Sequence, residues 1–112
     1  MVKNNYIPER GDIVWLNFTP QSGHEQAGKR PAVVLSPSKY NGKTGLMITC
    51  PVTSKVKGYP FEVAVKGKTI TGVVLSDQIK SFDWKTRNAQ FIEKISEKTL
   101  EKVQDKFIVL IQ

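Results

Sequence analysis

Cysteine is nearly missing from this chain. Cys50 stands alone, so no internal disulfide can form and no paired-thiolate framework exists for zinc. Set between Ile48-Thr49 and Pro51-Val52, it reads as a small buried hydrophobe. Histidine is as scarce, with His24 the single example, and the acidic residues are scattered instead of grouped as oxygen ligands. That leaves no obvious metal cluster and argues against a two-metal nuclease; no cofactor is expected. No apolar run approaches the roughly 20 residues of a membrane span. Met1-Val2-Lys3-Asn4-Asn5 lacks the apolar centre of a secretory leader. Internal repeats, low-complexity tracts and linkers are also missing. The expectation is one cytoplasmic domain over residues 1–112.

Negative charge is in short supply. Ten Asp and Glu stand against 17 Lys and Arg, a net charge of +7. Such an excess points to a polyanionic partner: nucleic acid, an acidic protein segment or an anionic membrane surface. No Lys/Arg-rich amphipathic helix is visible, which argues against the membrane. Simple solubility accounts for the charge equally well until a site is found.

What is present is a series of short β-rich runs. Ile13 to Phe18 is bounded by Gly11-Asp12 and Thr19-Pro20 and reads as the first strand. Gln21 to Lys29 is polar, with Gly23 and Gly28 as hinges, and reads as a loop. Ala32 to Ser36 is a second strand, apolar on consecutive positions as in a strand covered on both faces. Asn41-Gly42 is a strong turn dipeptide and predicts a hairpin into a third strand, Leu46 to Val52. Thr53 to Pro60 is polar loop. Phe61 to Val65 and Ile70 to Leu75 are strands around the turn Lys66-Gly67-Lys68, and Gly72 marks a bulge or a close backbone approach. Asp77 to Phe82 is expected to form a short helical turn, and Asn88 to Ile95 a last strand. The period then changes. Leu100, Val103, Phe107, Leu110 and Ile111 recur at helical spacing, with Ser96 as N-cap and Glu97 at the positive end of the dipole. Many short strands and one closing helix predict a small antiparallel sheet or barrel.

The chemistry concentrates at one junction. The segment from Gly23 to Pro37 sets a polar loop against an apolar strand, and its loop side holds His24, Glu25, Lys29 and Arg30 within a few residues. Pro31 biases Arg30 toward an extended conformation. A guanidinium held there can grip two phosphate oxygens and stays cationic at any working pH. As a lone feature it is equally an ordinary surface arginine. Cleavage of a phosphodiester without a metal, one chemistry such a cation could serve, needs a base for the attacking hydroxyl, a cation for the phosphorane and an acid for the leaving oxygen. Glu25 is a candidate base or positioning carboxylate, and His24 a second candidate because imidazole titrates near neutrality. Lys55, Lys57, Lys80 and Arg87 can line a phosphate track. Tyr59, Phe61, Phe18 and Trp84 can stack unpaired bases, though Phe18 and Phe61 read as core first, as does Trp15.

Glu25-Gln26-Ala27-Gly28-Lys29-Arg30-Pro31-Ala32-Val33-Val34-Leu35-Ser36-Pro37 resembles the MazF/PemK family of toxin endoribonucleases. Gly11-Asp12-Ile13-Val14-Trp15 resembles the family's opening strand. Pro51-Val52-Thr53-Ser54 with Lys57-Gly58-Tyr59-Pro60-Phe61, and Gly72-Val73-Val74-Leu75-Ser76-Asp77-Gln78-Ile79-Lys80-Ser81, resemble its second and third motifs. Together these cover nearly the whole chain, in the family's order. The resemblance implies a twisted SH3-like half-barrel with a C-terminal helix, the CcdB/PemK-like plasmid maintenance toxin fold, usually as a homodimer. It implies Arg30 and Thr53 as the core catalytic pair, assisted by Ser54, with a family glutamate at Glu25. His24 falls just outside the best-defined run. Asp77, Gln78 and Ser81 come from the third motif, where an acidic or amide side chain can read a base edge. The implied activity is sequence-specific, metal-independent cleavage of single-stranded RNA, namely mRNA, to 2′,3′-cyclic phosphate and 5′-hydroxyl ends, with arrest of translation. The implied partner is an acidic antitoxin protein whose disordered segment covers the basic groove. Two binding functions stand as alternatives: a toxin that docks on DNA gyrase without breaking a bond, and a non-catalytic RNA-binding barrel.

Overall fold

The computed structural model describes residues 5–18 and 28–112. In chain order these form β1 (Asp12–Phe18), β2 (Gly28–Val34), α1 (Ser38–Thr44), β3 (Leu46–Thr53), β4 (Glu62–Lys66), β5 (Thr71–Leu75), β6 (Lys80–Asp83), β7 (Gln90–Lys94) and α2 (Glu97–Ile111). All pairings are antiparallel, in the order β4-β5-β3-β2-β1-β7, with β6 also paired to β3. This is the mainly β half-barrel closed by a C-terminal helix that the family resemblance implies.

β3 is the strand on which the rest hang. One edge pairs with β2 through Thr49, Cys50 and Pro51. The other edge takes β6 along Leu46 to Thr49, then β5 at Val52 and Thr53. A strand that changes partner along its length bends the sheet into two curved walls. The consecutive apolar residues of β2 fit this arrangement. Val33 packs into a core with Ile13, Cys50, Val52, Val74 and Val103, whereas Ala32 and Val34 face a second core with Val14, Leu16, Met47 and Trp84. Both faces are covered, so the polar-in-alternation pattern of a half-exposed strand is lost.

Burial pushes the Cys50 thiol up to about 12, with the negative charge of Asp77 adding to the effect. Cys50 is therefore an inert core residue. Trp84 is buried, and its Nε1 donates to the Asn41 carbonyl at 2.9 Å. Stacking on bases is excluded for this ring.

Asn41-Gly42 does not turn a hairpin. The segment is α1, and the helix ends at Gly45, whose φ of 77° suits a left-handed helix end. Tertiary hydrogen bonds override the local turn preference. Asn41 is fully buried; its Nδ2 donates to the carbonyls of Pro8 and Ser36 at 2.8 and 3.0 Å, and its Oδ1 accepts from Ser36 Oγ at 2.6 Å. Residues 77 to 82 likewise form a turn leading into β6 instead of a helical turn, because β3 offers a free edge to pair with.

The close approach expected at Gly72 is real. A Cβ there would lie 2.3 Å from the Thr53 carbonyl oxygen, so only glycine lets β5 come this near to the end of β3. At the helix, the Ser96 hydroxyl accepts from Thr99 N at 3.1 Å, the expected N-cap, and Val103 is fully buried. The apolar stripe continues further than the core does: Ile108, Val109, Leu110 and Ile111 remain exposed. No helix among the described residues is long and apolar enough to cross a membrane.

Candidate RNA-binding groove

β2 spans Gly28–Val34, so Lys29, Arg30 and Pro31 belong to the strand. Arg30 pairs with Leu16 of β1 on one side. On the other side β2 pairs with β3 as far as Ala32–Pro51, and Arg30 and Thr53 lie two residues beyond that pair on their strands. Alternate residues of a strand share a face. Arg30 and Ala32 on β2 therefore look the same way as Thr49, Pro51 and Thr53 on β3, into a groove of about 740 Å3.

The groove is basic. Among the described residues, Arg30, Lys55, Lys57 and Lys80 line it, with one carboxylate, Glu62. Thr53, Ser54, Tyr59 and Gln78 complete the set of expected site residues that the fold gathers there. Tyr59 is half exposed, as a ring available for stacking must be. Thr53 Oγ1 accepts from Lys55 N at 3.1 Å. The hydroxyl thus shapes the start of the loop and still has its own proton to donate. Phe82 lies on the floor, with the Arg87 guanidinium 5.4 Å from its ring centre.

Three expected residues are not on the groove surface. Ser81 pairs with Ile48 and sits between Lys80 and Phe82, so strand alternation turns it to the opposite face. Asp77 is exposed in the turn before β6, where its charge bears on Cys50. Arg87 stands behind Phe82, its Nη1 donating to the Asn17 carbonyl at 3.4 Å. His24 and Glu25, and the Phe18 side chain, lie outside the described residues. Among the described residues no three His, Cys, Asp or Glu side chains come together as a metal site.

Sequence reading missed Thr49, Glu62, Thr69 and Thr71 on the groove wall. Thr49 was readable from its spacing to Pro51 and Thr53. Thr69 and Thr71 depend on how the β4–β5 turn is anchored. There the Glu93 carboxylate accepts from the backbone N–H groups of Lys68, Thr69 and Ile70 at 2.8, 2.9 and 2.8 Å. Those three bonds, Ile70 first, hold the Glu93 carboxyl below its ordinary range. The anchor has no room for a side chain at position 67, since a Cβ on Gly67 would lie 2.4 Å from a Glu93 oxygen.

Comparison with known proteins matches the family model described as PemK-like, MazF-like toxin of type II toxin-antitoxin system to residues 9–111. The chain belongs to this family. The endoribonuclease toxin MazF of Escherichia coli K12 is 46% identical over 108 residues, spanning 96% of this chain and 97% of that protein. The endoribonuclease PemK of Escherichia coli is 32% identical, over 92% of this chain and 81% of that protein. A crystal structure of the MazE-MazF complex from Deinococcus radiodurans superposes with a TM-score of 0.92 at 52% identity, covering 96% of this chain and 97% of that one. A mycobacterial endoribonuclease in complex with its cognate antitoxin, 20% identical with a TM-score of 0.74, shares the fold. The toxin-family motifs on β2 and β3 supply Arg30 and Thr53 to the lining of the groove.

Proposed function

We propose that this toxin-family chain is an endoribonuclease that draws single-stranded mRNA into the groove between β2, β3 and the loop after β3, and cuts it without a metal. The observation that carries the reading is that Arg30 and Thr53, from neighbouring strands, line the same basic groove. Arg30 clamps the scissile phosphate and takes up the charge of the phosphorane; the Thr53 hydroxyl donates to a phosphate oxygen, with Ser54 beside it. Glu25, five residues before Arg30, takes the proton of the 2′-hydroxyl, with His24 the other candidate. The 2′-oxygen forms its bond to phosphorus as the bond to the 5′-oxygen breaks and that oxygen is protonated. The ends left are a 2′,3′-cyclic phosphate and a 5′-hydroxyl. DNA, lacking the attacking oxygen, is spared.

Lys55, Lys57 and Lys80 track the backbone, Tyr59 stacks a base, and Gln78 presents an amide to a base edge. Asp77, Ser81 and Arg87 lie off the groove surface and take no part in this path. The cytoplasm, where mRNA is translated, is the site of action. An acidic antitoxin segment competes for the same cations, as the net charge of +7 favours; the relative from Deinococcus radiodurans is a MazE-MazF complex. The exposed apolar end of α2, Ile108 to Ile111, supports a homodimer that covers it.

The test is incubation of the purified protein with a long mixed-sequence RNA in excess EDTA, followed by mapping of the product ends. Cleavage at a short recurring motif with 5′-hydroxyl ends supports the enzyme. RNA left intact at every protein concentration leaves only a binding protein.

A further inference from the structure

Glu62 is out of place for an RNA groove: a carboxylate among Arg30, Lys55, Lys57 and Lys80 repels the very phosphates those cations attract. Its hydrogen bonds explain it. Oε2 accepts from the backbone N–H of Lys57 at 3.0 Å, and Oε1 from that of Gly58 at 3.1 Å. Both carboxylate oxygens are thus directed at the loop that follows β3. Every residue of that loop from Ser54 to Pro60 is exposed, so core packing does little to fix its shape. Apart from the Glu62 bonds, its hold comes from hydrogen bonds at its ends. Lys55 N is tied to Thr53 Oγ1 at 3.1 Å, and Glu62 N donates to the Tyr59 carbonyl at 3.2 Å. Gly58 supplies the bend, with φ of 83° and no atom near its missing Cβ.

We infer that Glu62 is a positioning residue for RNA binding: its carboxylate clasps the backbone at Lys57 and Gly58 and so fixes the Lys57 cation and the Tyr59 ring over the groove. The inference rests on reading the groove as the RNA path. Charge-assisted bonds from a carboxylate to two adjacent N–H groups are about twice as strong as neutral ones. A preformed loop spares the RNA the entropy of ordering it. The clasp touches no reacting atom, so it acts on binding and leaves the chemical step alone.

Charge and positioning make opposite predictions. Were Glu62 only a misplaced negative charge, Glu62→Gln would tighten RNA binding. As a clasp, Glu62→Gln and Glu62→Ala raise KM for a single-stranded RNA by about tenfold, with kcat held within about threefold. Gly58→Ala keeps the carboxylate but strains the loop, and is expected to raise KM in the same direction. A KM for Glu62→Gln at or below the parental value overturns the inference, as does a parental KM for Gly58→Ala. Amide hydrogen exchange of the full-length protein without RNA decides the clasp by itself. Exchange at Lys57 and Gly58 should speed up by about tenfold or more in Glu62→Gln, while amides in β3 stay protected; unchanged exchange refutes the clasp. A parent protein that leaves RNA intact would refute the function proposed above, and the exchange result would still settle the clasp.

Discussion

At the scale of single residues, the groove assigns different work to two side chains from neighbouring strands. The Arg30 guanidinium has no substitute among the lysines in geometry, because only it offers a planar fork to two phosphate oxygens. Arg30→Ala is expected to lower kcat by about a hundredfold or more, with the fold and most RNA affinity kept. Thr53→Ala is expected to cost less, about tenfold, because one donor to the phosphate is lost while the arginine clamp remains. Single-turnover cleavage alongside a binding titration separates the two effects. Thr53→Ala also removes the acceptor for Lys55 N, so some of its deficit should show in binding. The arginine was legible in the sequence as chemistry but not as a strand residue. Its polar surroundings hid the fact that β2 spans Gly28–Val34, since a strand edge facing a groove carries the same residues as a loop.

Secondary elements decide which of the motifs reach the groove. Strands were legible where β-branched residues cluster, and the helix α2 where the period lengthens. Asn41 was not. Its preference for turns is a local property, and the partners that hold it, Pro8, Ser36 and Trp84, are distant or unremarkable in sequence. Asn41→Ala is expected to destabilise the fold by about 3 kcal/mol, since it leaves several buried polar groups unmatched; urea unfolding measures this. Ser81 illustrates a different limit. A motif copied as a continuous run cannot show that alternate residues of β6 point apart. The β4–β5 turn offers a pH test. The Glu93 carboxyl is held below its ordinary value of 4.5, so the folded state binds fewer protons there than the unfolded chain does. The stabilisation is complete above that value and fades as pH falls through the folded-state pKa. The advantage in melting temperature of the parent over Glu93→Gln is therefore expected to be constant near neutrality and to shrink in acid.

For the molecule as a whole, the excess of cations has a definite place. Four of them line one groove, and simple solubility, which would spread them evenly, explains this less well than a polyanionic ligand does. Lys57→Ala should weaken RNA binding and reduce the slope of log Kd against log salt by about one, without moving the cut site. The half-barrel itself was legible only as a count of short strands and one helix. The bend that makes a groove comes from β3 changing partners and from the absence of a side chain at Gly72, and neither has a local pattern strong enough to fix three-dimensional geometry. The most direct test is a crystal structure of the protein with an RNA carrying 2′-deoxyribose at the mapped cut, which binds but cannot react. The account predicts the uncut phosphate between the Arg30 guanidinium and the Thr53 hydroxyl, with the strand running past Lys57 and Tyr59. RNA seated on another face, with the groove between β2 and β3 unvisited, would contradict it.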